Sequence, residues 1–374
     1  MGCISVGIPR ALLYYDYHPF WATFIKELGA EIVLSPTTTR HTINSGLGKA
    51  LDDVCLPVKV YYGHAMWLLE QGVDILFAPR MVSVEPRAYT CPKLMGLPDM
   101  IRSNLSPRAG VIDSCVDMSK SRRQLAAALV NVAIPLSKNP LRIRVAYNRA
   151  RAVQHRFENL LRRGLWPEEA MAHLGVPGFE GHREDNPGAD RASKDKASKD
   201  RAPDDMRPSL GTPDRDSATD LTVGLLGHSY NLYDGELNLR LASKLRNMGV
   251  SLVTAEALDN QVVEACNQSL PKPLFWTSAK RLMAAALTWS RGDERGTVDG
   301  IVHVVSFGCG PDSLVGELAA RWVRRDSNLP FLLLTLDEHS GEAGLVTRLE
   351  AFVDMLRWRR IGPDSNGEPG GCTP

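Results

Sequence analysis

The 374-residue sequence has no apolar stretch approaching the roughly 20 residues that a bilayer-spanning helix needs. It also lacks an excess of either charge. With 44 Lys and Arg against 43 Asp and Glu the net charge is +1, which indicates neither a nucleic-acid-binding face nor a membrane-attracted tail. Nucleotide motifs are missing as well: there is no G-x-x-x-x-G-K-[ST] phosphate loop and no G-x-G-x-x-G fingerprint, and "SGLGKA" at 45–50 is too short to make one. No H-E-x-x-H zinc helix occurs, and "GHSYN" at 227–231 does not supply a G-x-S-x-G nucleophile elbow. There is no C-x-x-C, which removes the thioredoxin reading and the usual paired spacing of a structural zinc. Seven cysteines, an odd number, argue against a disulfide framework. With "CISVGI" reading directly as a strand rather than a charged leader, the expected location is the cytoplasm.

What is present has a globular make-up, 44% apolar and 23% charged, with length for two domains that each bury a core. Short continuous apolar runs alternate with helical patterns. "ISVGI" (4–8) predicts a strand and "HPFWATFIKELG" (18–29) a helix closed by Gly29. "AEIVLSP", "VDILFAPR" (73–80) and "GVIDSCVD" (110–117) predict further strands, and helical periodicity marks "GLGKALDDV", "VKVYYGHAMWLLEQG" and 118–165. The second half repeats the alternation, from "LTVGLLG" through "VDGIVHVVSF" and "LPFLLLTLDE" to a last helix in "GLVTRLEAFVDMLRWRR". Continuous apolar strands separated by helices predict an α/β fold of doubly wound, Rossmann-like parallel sheets covered on both faces. Residues 1–177 are expected to form one domain and 220–362 the other. Each half opens with strand, tyrosine-rich loop, helix, glycine and strand, a faint internal similarity. Residues 181–220 contain no Phe, Tyr or Trp and include "RASKDKASKDRA", so 178–219 is expected to be a disordered charged insert, and 363–374 a flexible tail.

Three cysteines stand out by context. Cys309, in "VVSFGCGPDS", ends an apolar strand and precedes a helix; Cys91, in "YTCPKLMG", follows the "VDILFAPR" strand; Cys55, in "DDVCLPVK", lies between two helical patterns. Each has a proline one or two residues downstream (Pro57, Pro92 and Pro311), which stiffens the loop. Gly308 and Gly310 are expected to allow positive φ and a close backbone approach to an inorganic core. Thiolates from three separated loops at strand ends suit an iron–sulfur cluster better than structural zinc, with separate buried thiols as the alternative. Asp312 and Ser313 are expected to cap the helix after Cys309. Lys59, His64 and Lys93 are polar groups expected near the same cleft. Cys115 reads as a small core hydrophobe, and Cys3, Cys266 and Cys372 carry no site signal. "DEHSGEAG" (337–344) gathers His339 and Glu342 after a strand, for proton transfer or for helix capping.

Five blocks in order, "VGIPRALLYYDYHPFWATFIKELGAEIVLSP", "CLPVKVYYGH", "PRMVSVE…YTCPKLMGLPDMI", "SFGCGPDSL" and "LTLDEHSGEAGLVTRLEAFVDML", resemble the acyl-CoA dehydratase activase-related proteins. These are homologues of the 2-hydroxyacyl-CoA dehydratase subunits and double-cubane cluster proteins. The resemblance implies flavodoxin-like domains around a cleft, and a [4Fe–4S] or double-cubane cluster whose ligands carry over as Cys55, Cys91 and Cys309. It implies low-potential electron transfer with an ATP-hydrolysing activase of acetate-kinase/Hsp70 type, and family members are commonly homodimers. Two alternatives stay open. One is a 2-hydroxyacyl-CoA dehydratase-like lyase acting on an acyl-CoA, with His339 or Glu342 moving protons. The other is a non-redox scaffold that binds the activase.

Overall fold

The computed structural model of the chain describes residues 3–119, 122–179, 221–292 and 297–361. The expected insert and tail therefore lie outside the described residues, apart from 178 and 179. The first half runs β1 (Ser5–Ile8), α1 (Tyr14–Glu27), β2 (Glu31–Leu34), α2 (Arg40–Leu47), α3 (Leu56–Glu70), β3 (Ile75–Phe77), β4 (Arg80–Ser83), α4 (Pro92–Leu105), β5 (Gly110–Ile112) and β6 (Cys115–Asp117). Helices α5 (Arg122–Ala133), α6 (Pro140–Arg162) and α7 (Pro167–Leu174) follow. The second half runs β7 (Leu221–Leu226), α8 (Ser229–Tyr233), α9 (Leu241–Asn247), β8 (Val250–Thr254), α10 (Asn260–Gln268), α11 (Thr277–Arg291), β9 (Gly300–Ser306), α12 (Gly310–Asp326), β10 (Phe331–Leu336) and α13 (Glu342–Ile361).

All strand pairings are parallel, giving sheets in the order β2-β1-β3-β5 and β10-β9-β7-β8, with β4 and β6 forming a separate ribbon. Counted along the chain within each half, both four-stranded sheets have the order 2-1-3-4, as in flavodoxin-like folds. The faint similarity between the two halves of the sequence thus corresponds to a shared topology.

The apolar runs are continuous because both faces of the central strands are covered. On one face of the second sheet, Leu226 and Ile301 pack with Met283, Val315 and Val323 from α11 and α12. On the other, Val223, Leu225, Val302 and Val304 pack with Leu241, Leu349 and Val353 from α9 and α13. Each side chain so buried contributes about 1.5–3 kcal/mol.

Three expected elements are split. "VDILFAPR" divides at Ala78-Pro79, because proline has no N–H for the ladder, and β4 leaves the main sheet to pair with β6. "GVIDSCVD" divides correspondingly into β5 and β6, with Asp113 turned outward to an ion pair with Arg102. The long helical pattern breaks before Pro140, where the Asn139 side chain caps α6. Cys115 is exposed, not a core residue: neighbours in a strand face opposite ways, and Val116 takes the buried side of β6.

The halves meet with strand carboxyl ends facing each other. Ser229 donates a hydrogen bond to Asp16, Thr38 to Asp234, and Lys59 to Glu338 at 2.6 Å. Tyr89 N–H donates to the Phe275 carbonyl at 2.7 Å, and Thr277 N–H to the Tyr89 carbonyl at 3.0 Å. No helix among the described residues is long and apolar enough to cross a membrane.

Candidate functional site

The three cysteines singled out in the sequence line one cavity of about 360 Å³ between the halves, its wall completed chiefly by Leu12, Val58, Leu94, Tyr230 and Trp276. Each is the residue immediately before a helix: Cys55 before α3, Cys91 before α4 and Cys309 before α12, every one with proline in the first turn. Proline is pre-set for a first helical turn, so it fixes the angle at which chain and thiol enter the cavity. Three helix amino termini therefore point their partial positive charge at one place. Gly308 adopts φ +77°, a backbone conformation that favours glycine, beside Cys55. Gly310 does not have the expected positive φ; it opens α12 with ordinary backbone and leaves free space on the cavity wall.

Electrostatics decide the resting form of two of these thiols. Burial pushes Cys55 up to about 12, the neighbouring Cys309 and Cys91 act in the same direction, and the Val58 N–H opposes them. Burial also raises Cys91, against the favourable Lys93 and Leu94 N–H groups and with Cys309 adding to the rise. Desolvation and mutual repulsion thus outweigh the helix termini, and Cys55 and Cys91 are neutral thiols in the protein alone. A cation among them reverses that balance, since coordination favours the thiolate.

Beside Cys309 stands a pair that no sequence motif marks. His228, directly after β7, places Nε2 3.0 Å from Oδ1 of the buried Asp312. Donor atoms of His228, Cys309 and Asp312 all lie within 4.8 Å of one another. Burial alone lowers the His228 pKa, but Asp312 and then Cys309 hold it well above the usual imidazole value. Asp312 is therefore a partner of His228 instead of the helix cap expected, and Ser313 bonds back to the Cys309 carbonyl at 2.7 Å. The available signal was positional. β7 and β9 are adjacent strands at the point where the sheet order reverses, so residues following them meet.

A second cavity, of about 310 Å³, adjoins the first, sharing Cys91, Leu94 and Tyr230 and adding polar groups that include Asp16, Gln154, His228, Ser229 and Arg281. Burial raises Asp16 to about 7 although its hydrogen bond from Ser229 opposes the shift. This has a consequence for stability. The folded value lies above the ordinary 3.8, so this contribution is fully present below about pH 4 and is lost as pH rises towards 7. Asp16→Asn is expected to flatten the pH dependence of urea unfolding between pH 4 and 7 by up to one proton, about 1.4 kcal/mol per pH unit. An unchanged slope means that Asp16 is ionised in the fold.

The remaining expected residues lie elsewhere. Glu342 pairs with Lys244 at 2.7 Å, and the His339 backbone N–H bonds Asp337; neither side chain lines either cavity. Lys59 is committed to Glu338, and His64 Nε2 meets Thr38 at 3.0 Å. Lys93 does line the thiol cavity, 3.7 Å from Asp53.

No curated protein gives a significant match to the chain. Among solved structures, the C-terminal domain of glucosamine-fructose-6-phosphate aminotransferase from Francisella tularensis aligns over 95% of this chain and 85% of its own, at 10% identity. Its TM-score of 0.21 is too low to carry an argument. The family described as CoA enzyme activase uncharacterised domain (DUF2229) matches residues 5–258. That span is more than half of the sequence and contains Cys55, Cys91, Asp16 and His228, and on it the chain belongs to this CoA enzyme activase domain family.

Proposed function

We propose that the thiol cavity holds an iron–sulfur cluster, of [4Fe–4S] or double-cubane type, and that the chain relays low-potential electrons with an ATP-hydrolysing activase. The observation that carries this reading is the convergence of three cysteines, each at a helix amino terminus, on one cavity. The donor set fits such a group. Around one zinc ion, at about 2.3 Å, sulfurs stand closer together than 4.8 Å, and the set of donors that close contains Cys309 but neither Cys55 nor Cys91. A cluster, when bound, supplies a one-electron couple and Lewis-acidic iron. The chain's own residues set its surroundings: Leu12, Val58, Leu94 and Trp276 give it an apolar wall, which disfavours added negative charge and keeps the potential low. Membership of a CoA enzyme activase domain family supports the activase as partner.

Anaerobic reconstitution with iron and sulfide is expected to give a brown protein holding about four irons per chain. An iron-free, colourless protein that keeps its fold and its activity sinks the reading, and one that still binds the activase points to a scaffold instead.

The polar cavity beside Cys91 favours a second reading, a 2-hydroxyacyl-CoA dehydratase-like lyase. Asp16, titrating near 7 next to the thiol cavity, is then the group that moves protons as water is lost, in preference to His339 or Glu342. Release of water from an acyl-CoA panel, with reductant and activase present, distinguishes the two.

A further inference from the structure

We infer that His228 is a hydrogen-bond donor to the sulfur of Cys309, oriented by Asp312, and that this contact raises the reduction potential of the cluster that Cys309 ligates. The inference rests on the cluster reading above and deepens it.

His228 Nε2 is buried and ion-paired with Asp312 Oδ1 at 3.0 Å, yet it has no hydrogen-bond partner among the described residues. Asp312 Oδ2 is likewise buried and unpartnered, in a residue 1% exposed. Buried polar atoms without partners are rare and point to a group that completes them. The Cys309 sulfur lies within 4.8 Å of a ring nitrogen of His228 and of a carboxylate oxygen of Asp312. The ring plane of His228 is fixed by stacking on Tyr230, at 5.0 Å between centroids and 8° between planes. His228 lines the polar cavity and not the thiol cavity. That position suits a donor to a ligand sulfur and not a ligand on a neighbouring iron, which would have to face the cluster. A hydrogen bond withdraws electron density from sulfur, so it stabilises the reduced, more negative cluster and raises the potential.

The test compares reconstituted wild-type protein with His228→Leu, His228→Gln and Asp312→Asn, reading iron and sulfide content, midpoint potential and iron–sulfur stretching frequencies. The expected result for His228→Leu is unchanged iron content with the potential lowered by at least a tenfold step in the redox equilibrium, about 59 mV for one electron. The iron–cysteine stretch should rise, His228→Gln should restore part of the shift, and Asp312→Asn should move it the same way by less. A fully loaded His228→Leu protein with wild-type potential overturns the inference while leaving the cluster reading intact. If His228→Leu does not load, wild-type protein labelled with ¹⁵N-histidine decides: a weak hyperfine coupling from a non-ligating nitrogen supports the inference, and its absence overturns it. Wild-type protein that takes up no iron overturns both.

Discussion

Replacing Cys309 with alanine is expected to abolish the brown chromophore of the reconstituted protein and lower iron from about four per chain to less than one. Far-ultraviolet circular dichroism should stay that of the wild type. The size of the effect follows from where the sulfur sits. Cys309 is 4% exposed, directly before α12, and lines the same cavity as Cys55 and Cys91. Removing it takes away one of the three proposed ligands and opens the cavity on the β9 side. Cys55→Ala and Cys91→Ala should act in the same direction, because each ends a different loop and no other described cysteine lines the cavity. Cys3 and Cys115 are exposed and Cys266 lies in α10, so their alanine variants should retain full iron. Iron retained in Cys309→Ala, or lost equally in Cys115→Ala, is incompatible with the proposed ligand set.

The largest expected effect on stability lies at a helix crossing that positions Cys55. Where α2 meets α3, a Cβ on Gly46 would stand 1.9 Å from the Lys59 carbonyl oxygen, and one on Gly63 would stand 2.0 Å from that of Thr42. Both obstacles are backbone, so no rotamer change relieves them and the helices must move apart. Gly63→Ala is expected to destabilise the protein by about 3 kcal/mol or more, the upper end of overpacking costs, and to lower Tm by about 5 °C. Gly46→Ala should behave alike, and the two should not add, because either alone separates the same pair. Gly96, inside α4 with nothing within 4 Å of its Cβ position, is the control. Alanine there should be neutral or stabilising by up to about 1 kcal/mol. As α3 begins at Cys55, Gly63→Ala should also weaken iron retention. Thermal unfolding of the three variants checks this, and a Gly63→Ala protein as stable as Gly96→Ala contradicts the close crossing.

Much of the fold was legible in the sequence, because a strand covered on both faces is apolar along most of its length, as "IVHVV" is apart from His303. Boundaries were less so. "VDILFAPR" reads as one strand by periodicity; Pro79 breaks its ladder, and only the fold supplies β6 as the new partner of the residues beyond it. Cys115 was misread for a related reason: the apolar pattern around it does not say which side of a two-stranded ribbon faces solvent.

The sequence by itself determined which residues could serve as soft ligands and the local geometry of each, since a cysteine followed within two residues by proline at a helix start is a local property of the chain. Tertiary structure alone decided that the three share one cavity, because contacts across about 250 residues depend on how two sheets face each other. It also decided that Asp312 serves His228 rather than its own helix, and that Glu342 is tied to Lys244 away from the cavities. These are choices among partners that a carboxylate could satisfy equally well, and packing of distant strands, not residue type, selects between them.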